Sequence, residues 1–174
     1  MGRALIALAS EYPNSRFTGF DLSSETIEDA ADRARLLGLR NVRFEKLDLS
    51  KFDRPAAFDL VTAFDVIHDQ AEPARVLENV RAALRPDGVF LMQDIRTSSH
   101  LENNIEHALG PFLYTISYNH CMTVSLAQGG AGLGTMWGEE LALEMLAKAG
   151  FDTVDVHQLE HDFQNNFYVM RKAA

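Results

Sequence analysis

Four aspartates in this sequence stand at the ends of short apolar stretches. Asp21 follows RFTGF, Asp48 lies in KLDL, Asp65 follows AFDLVTAF and Asp94 closes VFLMQD. In an open sheet of parallel strands, ligands bind outside the carboxyl ends of the strands. We therefore expect these acids, together with Phe64, at the edge of a sheet that holds a ligand.

The position of Asp21 indicates the class of ligand. It lies about 20 residues after Gly2, the spacing at which a carboxylate follows the glycine turn of nucleotide-binding βαβ units. An acceptor-only carboxylate can hold two neighbouring ribose hydroxyls. Asp48 ends the next strand, where it can accept a hydrogen bond from an adenine amino group. The alternative for each acid is a helix N-cap or a solvated strand end, and the pair on successive strands favours the nucleotide interpretation.

Alternating helix and strand patterns position these acids. The predicted order is a helix at 3–10, a strand at 16–20, a helix at 24–37, strands at 41–49 and 57–64, a helix from 73 and a strand at 89–94. The turn RPDG precedes the last of these strands. Alternation of apolar strands with helices indicates a parallel sheet that is covered on both faces.

The pattern changes after residue 95. SSHLENNIEHAL predicts a helix capped by Ser98 or Ser99, and the apolar stretch 111–126 has no clear period. AQGGAGLG predicts a glycine-rich loop, and WGEELALEMLAKAGF predicts a helix that ends at Gly150. DTVDVHQL and NFYVMRK predict a closing antiparallel hairpin.

Composition excludes several classes of function. The 174 residues carry a net charge of −9, which argues against general binding to nucleic acid or to an anionic membrane. Hydrophobic residues make up 47% and charged residues 24%, as in soluble globular proteins. No apolar run reaches the length of a membrane span. The single cysteine, Cys121, cannot form an internal disulfide and predicts a reducing, cytoplasmic compartment.

Several segments, in this order, resemble class I S-adenosylmethionine-dependent methyltransferases. They are Gly2-Arg3-Ala4, FTGFDLS, KLDLS, FDLVTAFDVIHD and LRPDGVFLMQD. The resemblance implies a Rossmann-like, doubly wound α/β fold whose mostly parallel sheet ends in an antiparallel hairpin. HCMTVSLAQGGAGLGTMWGEE and HDFQNNFYVMRK resemble, more narrowly, a bacterial subgroup whose members usually carry a winged-helix domain before the methyltransferase domain.

The resemblance also implies that the first strand of the fold is missing. The family motif Asp/Glu-x-Gly-x-Gly-x-Gly ends that strand, and Gly2 matches only its last glycine, with Met1 as the variable residue before it. The missing strand would lie in mid-sheet, between the strands that end at Asp21 and Phe64. An unpaired sheet interior would favour association into a homo-oligomer through exposed strand edges.

On this resemblance, residues 1–174 form an N-terminally truncated catalytic domain in which 96–136 is an insertion that covers the substrate. The implied cofactor is S-adenosyl-L-methionine, and the implied partner is a small-molecule methyl acceptor. The cofactor-binding roles fall on Gly2 near the methionine portion, Asp21 at the ribose hydroxyls, Leu22 beside the adenosine, Asp48 at the adenine amino group, Leu49 through its backbone, and Phe64 beside the sulfonium.

Methyl transfer needs alignment and a deprotonated nucleophile. His68, just after the third strand, is a candidate general base because histidine titrates near neutrality, and its alternative is a helix-cap histidine. His120 is a second candidate base, with a packed or surface histidine as its alternative. The chain has no His-Glu-x-x-His motif and no paired cysteines, so we expect no metal; His100 and His107 indicate a polar helix face. Cys121 fits a small buried thiol.

Other interpretations of the residues stay open. Gly130, Gly132 and Gly134 follow the strand-like CMTVSL and could form the nucleotide loop of a permuted fold, although the expected acid before them is absent. A flexible loop over the substrate is the preferred interpretation. The aromatic residues Phe112, Tyr114, Tyr118 and Trp137 line a substrate pocket or belong to the core. In a nicotinamide dinucleotide oxidoreductase, Asp21 would bind the ribose in the same way. A non-catalytic interaction module is the third alternative, and the missing strand supports it.

Overall fold

The computed structural model describes residues 2–172. These residues form two compact units, which divide after Phe52. The interpretation of Met1 as part of a glycine motif lies outside the described residues. No helix within 2–172 is both long enough and apolar enough to cross a membrane.

The first unit contains two helices and two parallel strands. Its elements are α1 (Arg3–Glu11), β1 (Phe17–Asp21), α2 (Ser24–Leu36), β2 (Val42–Lys46) and a 3₁₀ turn (Leu49–Lys51). Strands β1 and β2 pair from Phe17 opposite Val42 to Asp21 opposite Lys46. The carboxyl ends of both strands therefore lie side by side, as the sequence predicts.

Capping and close packing explain the local structure of this unit. The Ser23 hydroxyl accepts a hydrogen bond from the Thr26 N–H and begins α2, as its residue type favours. Gly2 has φ +66°, and a Cβ there would lie 2.9 Å from both Ala30 Cβ and Phe44 Cε1. Only glycine satisfies both conditions at this position.

The second unit is built on a mixed sheet. Its long elements are β3 (Phe58–Phe64), α3 (Pro73–Ala83), β4 (Leu84–Ile95), α6 (Gly138–Lys148), β5 (Val154–Leu159) and β6 (Asp162–Arg171). The strand order is β3-β4-β6-β5; β3 and β4 are parallel, and β6 is antiparallel to both of its neighbours. The predicted α/β class and terminal hairpin are confirmed. Strands β1 and β2 form one sheet, and β3, β4, β6 and β5 form another.

Aromatic residues from the sheet and its connections form the core of the second unit. The rings of Phe90 on β4 and Phe151 after α6 lie 5.7 Å apart, and both side chains are buried. Tyr168 and Met170 on β6 are buried in the same unit. Burial of these apolar side chains is the main contribution to the stability of the unit.

Two elements of the second unit differ from the prediction. Residues of RPDG lie inside β4 as an irregularity, because the register passes directly from Phe58 opposite Leu84 to Leu60 opposite Val89. SSHLENNIEHAL forms only a short 3₁₀ turn, Leu101–Asn104. There the Asn104 side chain accepts a hydrogen bond from the Ser98 N–H and donates one to the Ser98 carbonyl. These side-chain bonds compete with the backbone hydrogen bonds of a regular helix.

The stretch without a clear period is helical. Helix α4 (Gly110–Ile116) continues through a π-helical turn (Ser117–Cys121) into α5 (Met122–Ala127). The prediction that CMTVSL is strand-like is therefore wrong. The π turn adds a residue to the helical repeat, which is why the apolar positions show no constant 3.6-residue period.

Candidate functional site

In the first unit, Asp21 and Asp48 lie where strands β1 and β2 end. Asp21 Oδ1 accepts a hydrogen bond of 2.8 Å from the Ser23 N–H. Asp48 Oδ1 accepts from the Ser50 N–H and hydroxyl at 3.0 and 2.7 Å, and Lys51 Nζ lies 3.0 Å from Asp48 Oδ2. Both acids thus cap the turns that follow them, and these bonds fix their carboxylates at the strand ends.

Capping is compatible with ligand binding at Asp48 because it favours the charged form of that carboxylate. The hydrogen bonds from Ser50 and Lys51 lower the pKa of Asp48. Leu22, next to Asp21, is 54% exposed, and Leu49, next to Asp48, is half-buried. This edge therefore presents carboxylate acceptors beside apolar side chains, and the roles of Gly2 and of these four residues in cofactor binding stay predictions.

In the second unit, the end of β3 leads to a buried histidine. The strand ends at Phe64, which is 39% exposed, and Asp65 follows with φ +52°. A positive φ is unfavourable for aspartate and often accompanies a functional site. The next turn, Ile67–Asp69, carries His68, whose exposure is only 3%.

His68 is paired with the acid at the end of the neighbouring strand. Its Nδ1 lies 2.7 Å from Asp94 Oδ1, and Asp94 is 1% exposed. The parallel register, with Phe64 opposite Gln93, brings the two chain segments together. When the neutral ring donates Nδ1–H to the Asp94 carboxylate, Nε2 is the acceptor nitrogen.

Acidic residues surround this histidine and set its charge preference. Burial alone would lower the pKa of His68, but the Asp94 hydrogen bond and the negative charges of Asp94, Asp69 and Asp65 outweigh burial and raise the pKa. Partial burial also raises the pKa of Asp65, and the hydrogen bond from Gln93 opposes that shift. The pair His68–Asp94 is therefore suited to accept a proton and to stabilise the resulting imidazolium.

The π turn brings a thiol to the same histidine. His68, Asp69 and Cys121 each offer one ligand-type atom, and these atoms all lie within 4.8 Å of one another. Cys121 is buried, its Sγ lies 2.9 Å from Thr135 Oγ1, and burial raises the pKa of the thiol. Sequence reasoning missed Asp69 and Thr135 and treated Cys121 as ordinary core, because nothing local connects these distant residues.

The glycine segment, residues 128–134, supports the His68 segment, residues 67–71. The Gly134 N–H donates to the His68 carbonyl at 3.2 Å, and the Ala131 N–H donates to the Ala71 carbonyl at 2.9 Å. A Cβ on Gly130 would lie 2.3 Å from Ala71 Cα. The glycines here allow close approach of two backbones, and the preceding helix α5 contradicts the permuted nucleotide loop.

The other candidate residues lie away from this cluster. His120 is exposed on the π turn, next in sequence to Cys121, and its role as a base stays a prediction. His107 Nδ1 accepts from the Leu109 N–H, and the expected helix through His100 and His107 is absent from the described residues. Among the aromatic residues, Trp137 is buried, Tyr114 packs on a small core cluster, and Phe112 and Tyr118 are exposed.

Structural comparison agrees with the fold. A solved structure described as PigF with SAH has a TM-score of 0.77 at 19% identity, covering 98% of this chain and 48% of that one. A solved structure from Nostoc punctiforme, described as an O-methyltransferase, has a TM-score of 0.73 at 22% identity, covering 96% of this chain and 48% of that one. The structure of the [4+2]-cyclase SpnF has a TM-score of 0.67 at 18% identity, covering 92% of this chain and 67% of that one. At these identities the comparisons establish the fold.

Sequence comparison identifies the family. Equisetin synthetase from Fusarium heterosporum is 27% identical over 152 residues, 78% of this chain and 3% of the synthetase. An uncharacterized protein of Rickettsia prowazekii is 37% identical over 67 residues, 38% of this chain and 12% of that protein. The chain thus spans a small part of these curated relatives. A family described as "Methyltransferase domain" matches residues 1–150, and the chain therefore belongs to the methyltransferase domain family.

Proposed function

We propose that this protein is an S-adenosyl-L-methionine-dependent methyltransferase that acts on a small-molecule acceptor, with His68 as its general base. The observation that carries the proposal is the buried hydrogen bond of 2.7 Å between His68 Nδ1 and Asp94 Oδ1. It stands where the parallel strands β3 and β4 end, the place at which open α/β sheets bind ligands. Membership of the methyltransferase domain family supports the reaction class.

The His68–Asp94 pair performs one defined step. S-adenosyl-L-methionine, when bound, supplies a methyl carbon attached to a sulfonium. His68 Nε2 accepts the proton of an acceptor O–H or N–H while the acceptor atom forms its bond to that carbon. The bound cofactor would release its methyl group with the carbon–sulfur electron pair left on sulfur. Asp94 holds the imidazole in the productive tautomer and balances the positive charge that His68 gains.

The cofactor roles are proposed within each unit separately. In the first unit we assign Asp21 to the ribose hydroxyls and Asp48 to the adenine amino group, since both carboxylates are fixed at strand ends. Leu22 and Leu49 flank the adenosine, and Gly2 takes the methionine portion. In the second unit, the partly exposed Phe64 stands beside the reacting sulfonium. The complex of PigF with SAH supports this cofactor class.

The remaining proposals concern organisation and setting. We assign 1–174 to a catalytic domain and 96–136 to an insertion over the acceptor; the contacts of Cys121 and Gly134 with the His68 segment support the latter. A bacterial-like cytoplasmic enzyme fits the single cysteine. The net charge of −9 supports small molecules over nucleic acid or membrane as partners. A homo-oligomer formed through strand edges is part of the same proposal.

The test measures transfer of labelled methyl groups to a series of phenols of graded acidity. His68→Gln should lower the rate on weakly acidic phenols by about 10²- to 10⁴-fold, because the proton then lacks an acceptor. The loss should shrink for phenols that are already ionised. His157→Gln, at an exposed position on β5, is the matched control. A uniform loss across all phenols would contradict the role of His68, and a loss confined to His120→Gln would transfer that role to His120.

A further inference from the structure

A second set of donor atoms lies on the other side of the His68 ring from Asp94. His68 Nε2 is 3.5 Å from Asp69 Oδ1, and Cys121 Sγ completes a group within 4.8 Å. His68 and Cys121 are buried, and Asp69 is partly buried. Methyl transfer as proposed above uses only the histidine of this group, so the carboxylate and the thiol are left without a role.

The carboxylate oxygen of this group faces His68 Nε2 at 3.5 Å without a hydrogen bond to it. Asp69 Oδ1 is shielded from solvent and makes no hydrogen bond with any of the described residues. A buried charged oxygen is costly unless it is paired or coordinates a metal. In the neutral ring this oxygen meets the lone pair of Nε2, and a cation between Asp69, His68 and Cys121 would pair with both atoms.

The surrounding contacts orient the donor atoms as metal ligands require. The hydrogen bond from Nδ1 to Asp94 directs the Nε2 lone pair toward Asp69. A carboxylate on the second ring nitrogen is the arrangement that orients metal-binding histidines in proteins. Thr135 Oγ1, at 2.9 Å from Cys121 Sγ, holds the thiol in the same way.

We propose that His68 Nε2, Asp69 Oδ1 and Cys121 Sγ bind a divalent cation of the zinc class. Nitrogen and sulfur donors select zinc and its thiophilic relatives over magnesium or calcium, which prefer oxygen alone. Ligand bonds of about 2.0–2.3 Å require the three atoms to draw closer together by a small side-chain movement. Three protein ligands leave a fourth position for water or for an acceptor atom.

Charge balance favours the bound state. Cys121 binds as a thiolate and releases its proton to solvent, so the thiolate and the Asp69 carboxylate together neutralise the two positive charges of the cation. His68 binds as the neutral ring that already donates Nδ1–H to Asp94. The cation and its two anionic ligands thus carry no net charge, and the Asp94 carboxylate keeps its hydrogen bond to Nδ1–H.

Cation binding is separate from methyl transfer but has a consequence for it. A cation on His68 Nε2 occupies the lone pair that would otherwise accept the acceptor's proton. The cation-bound form therefore lacks its general base, and zinc should inhibit methyl transfer until a chelator removes it.

The test is a titration of the whole chain with Co²⁺ without cofactor, followed by competition with Zn²⁺. We expect a thiolate-to-cobalt charge-transfer band that saturates at one ion per chain and disappears when Zn²⁺ is added. Cys121→Ser should abolish the band, and Asp69→Asn should weaken binding by about tenfold or more. His157→Gln, exposed on β5, is the matched histidine control and should bind as the natural chain does.

Two results would overturn the proposal: no band in the natural chain, or a band that persists in Cys121→Ser. If Cys121→Ser shows no cooperative unfolding transition, X-ray absorption of the zinc-loaded natural chain replaces it. One sulfur with nitrogen and oxygen ligands supports the site, whereas nitrogen and oxygen alone overturn it. Because these measurements use no cofactor, their failure is distinct from a failure of the transferase assay.

Discussion

Substitution of Gly130 by alanine tests whether the glycine segment holds the His68 segment in place. The added Cβ would lie 2.3 Å from Ala71 Cα and 2.6 Å from Ser125 Oγ, well inside van der Waals contact. The nearest atom belongs to the backbone, so relief requires the two segments to separate. Overpacking of this kind costs about 1–3 kcal/mol of unfolding free energy.

Gly129→Ala is the matched control. Gly129 has φ +71°, and a Cβ there would meet nothing within 4 Å. Alanine at this position therefore carries only the left-handed backbone penalty of about 1–2 kcal/mol. The two variants should lose similar stability, so denaturant unfolding confirms the magnitudes and a second measurement must separate the mechanisms.

Amide hydrogen exchange and the NMR signals of the His68 ring provide that second measurement. In Gly130→Ala, exchange should accelerate at the N–H groups of Ala131 and Gly134, which donate to the carbonyls of Ala71 and His68. The His68 signals should move in the same variant. In Gly129→Ala both should stay as in the natural chain. Equal exchange in the two variants, with unmoved His68 signals, would refute the reasoning.

Further predictions concern three polar contacts. Asn41→Ala should lower the unfolding free energy by about 1–3 kcal/mol in denaturant titrations, because Asn41 Nδ2 donates to three backbone carbonyls at 2.9, 3.1 and 3.2 Å. The Ser99 N–H and neighbouring hydroxyls lower the pKa of Glu140 from 4.5 to about 2, so its stabilising effect should be complete above pH 4.5 and decline as the pH falls toward 2. Glu140→Gln should remove that part of the acid dependence in thermal unfolding. Arg85→Ala should lower the unfolding free energy by less than about 1 kcal/mol. Arg85 Nη1 lies 2.8 and 2.9 Å from the two carboxylate oxygens of Asp59, but the two side chains are 50% and 82% exposed.

A specific result would contradict each of these three predictions. Unchanged stability in Asn41→Ala would show that solvent replaces its hydrogen bonds without cost. An identical acid dependence in Glu140→Gln would assign the dependence to other carboxyl groups. A loss well above about 1 kcal/mol in Arg85→Ala would mean that the ion pair holds the irregular register of β4, beyond its value as a surface contact.

Local patterns predicted most of the regular structure. Sequence patterns identified the helix α2 and the two strands of the terminal hairpin. Such signals depend only on neighbouring residues. The 3₁₀ turn Leu101–Asn104 was not predicted, because a hydrogen bond from the Asn104 side chain overrides local propensity. The π turn Ser117–Cys121 was not predicted either, because its extra residue interrupts the helical period.

The candidate site divides in the same way. His68 and Asp94 were recognisable because the ends of parallel strands collect functional residues, although the 2.7 Å bond between them was not predictable. Asp69 and Cys121 come together only through the π turn and the packing of the glycine segment. No periodicity or spacing records such a tertiary contact.

The most direct test of the central claim is unfolding of the chain with and without S-adenosylhomocysteine, with NADH as the competing ligand. At about one hundred times its dissociation constant, S-adenosylhomocysteine should raise the unfolding free energy by roughly 2.7 kcal/mol, and Asp21→Ala should diminish the effect. NADH should have no effect. Stabilisation by NADH alone, or by neither ligand, would contradict the claim that this chain is an S-adenosyl-L-methionine-dependent methyltransferase.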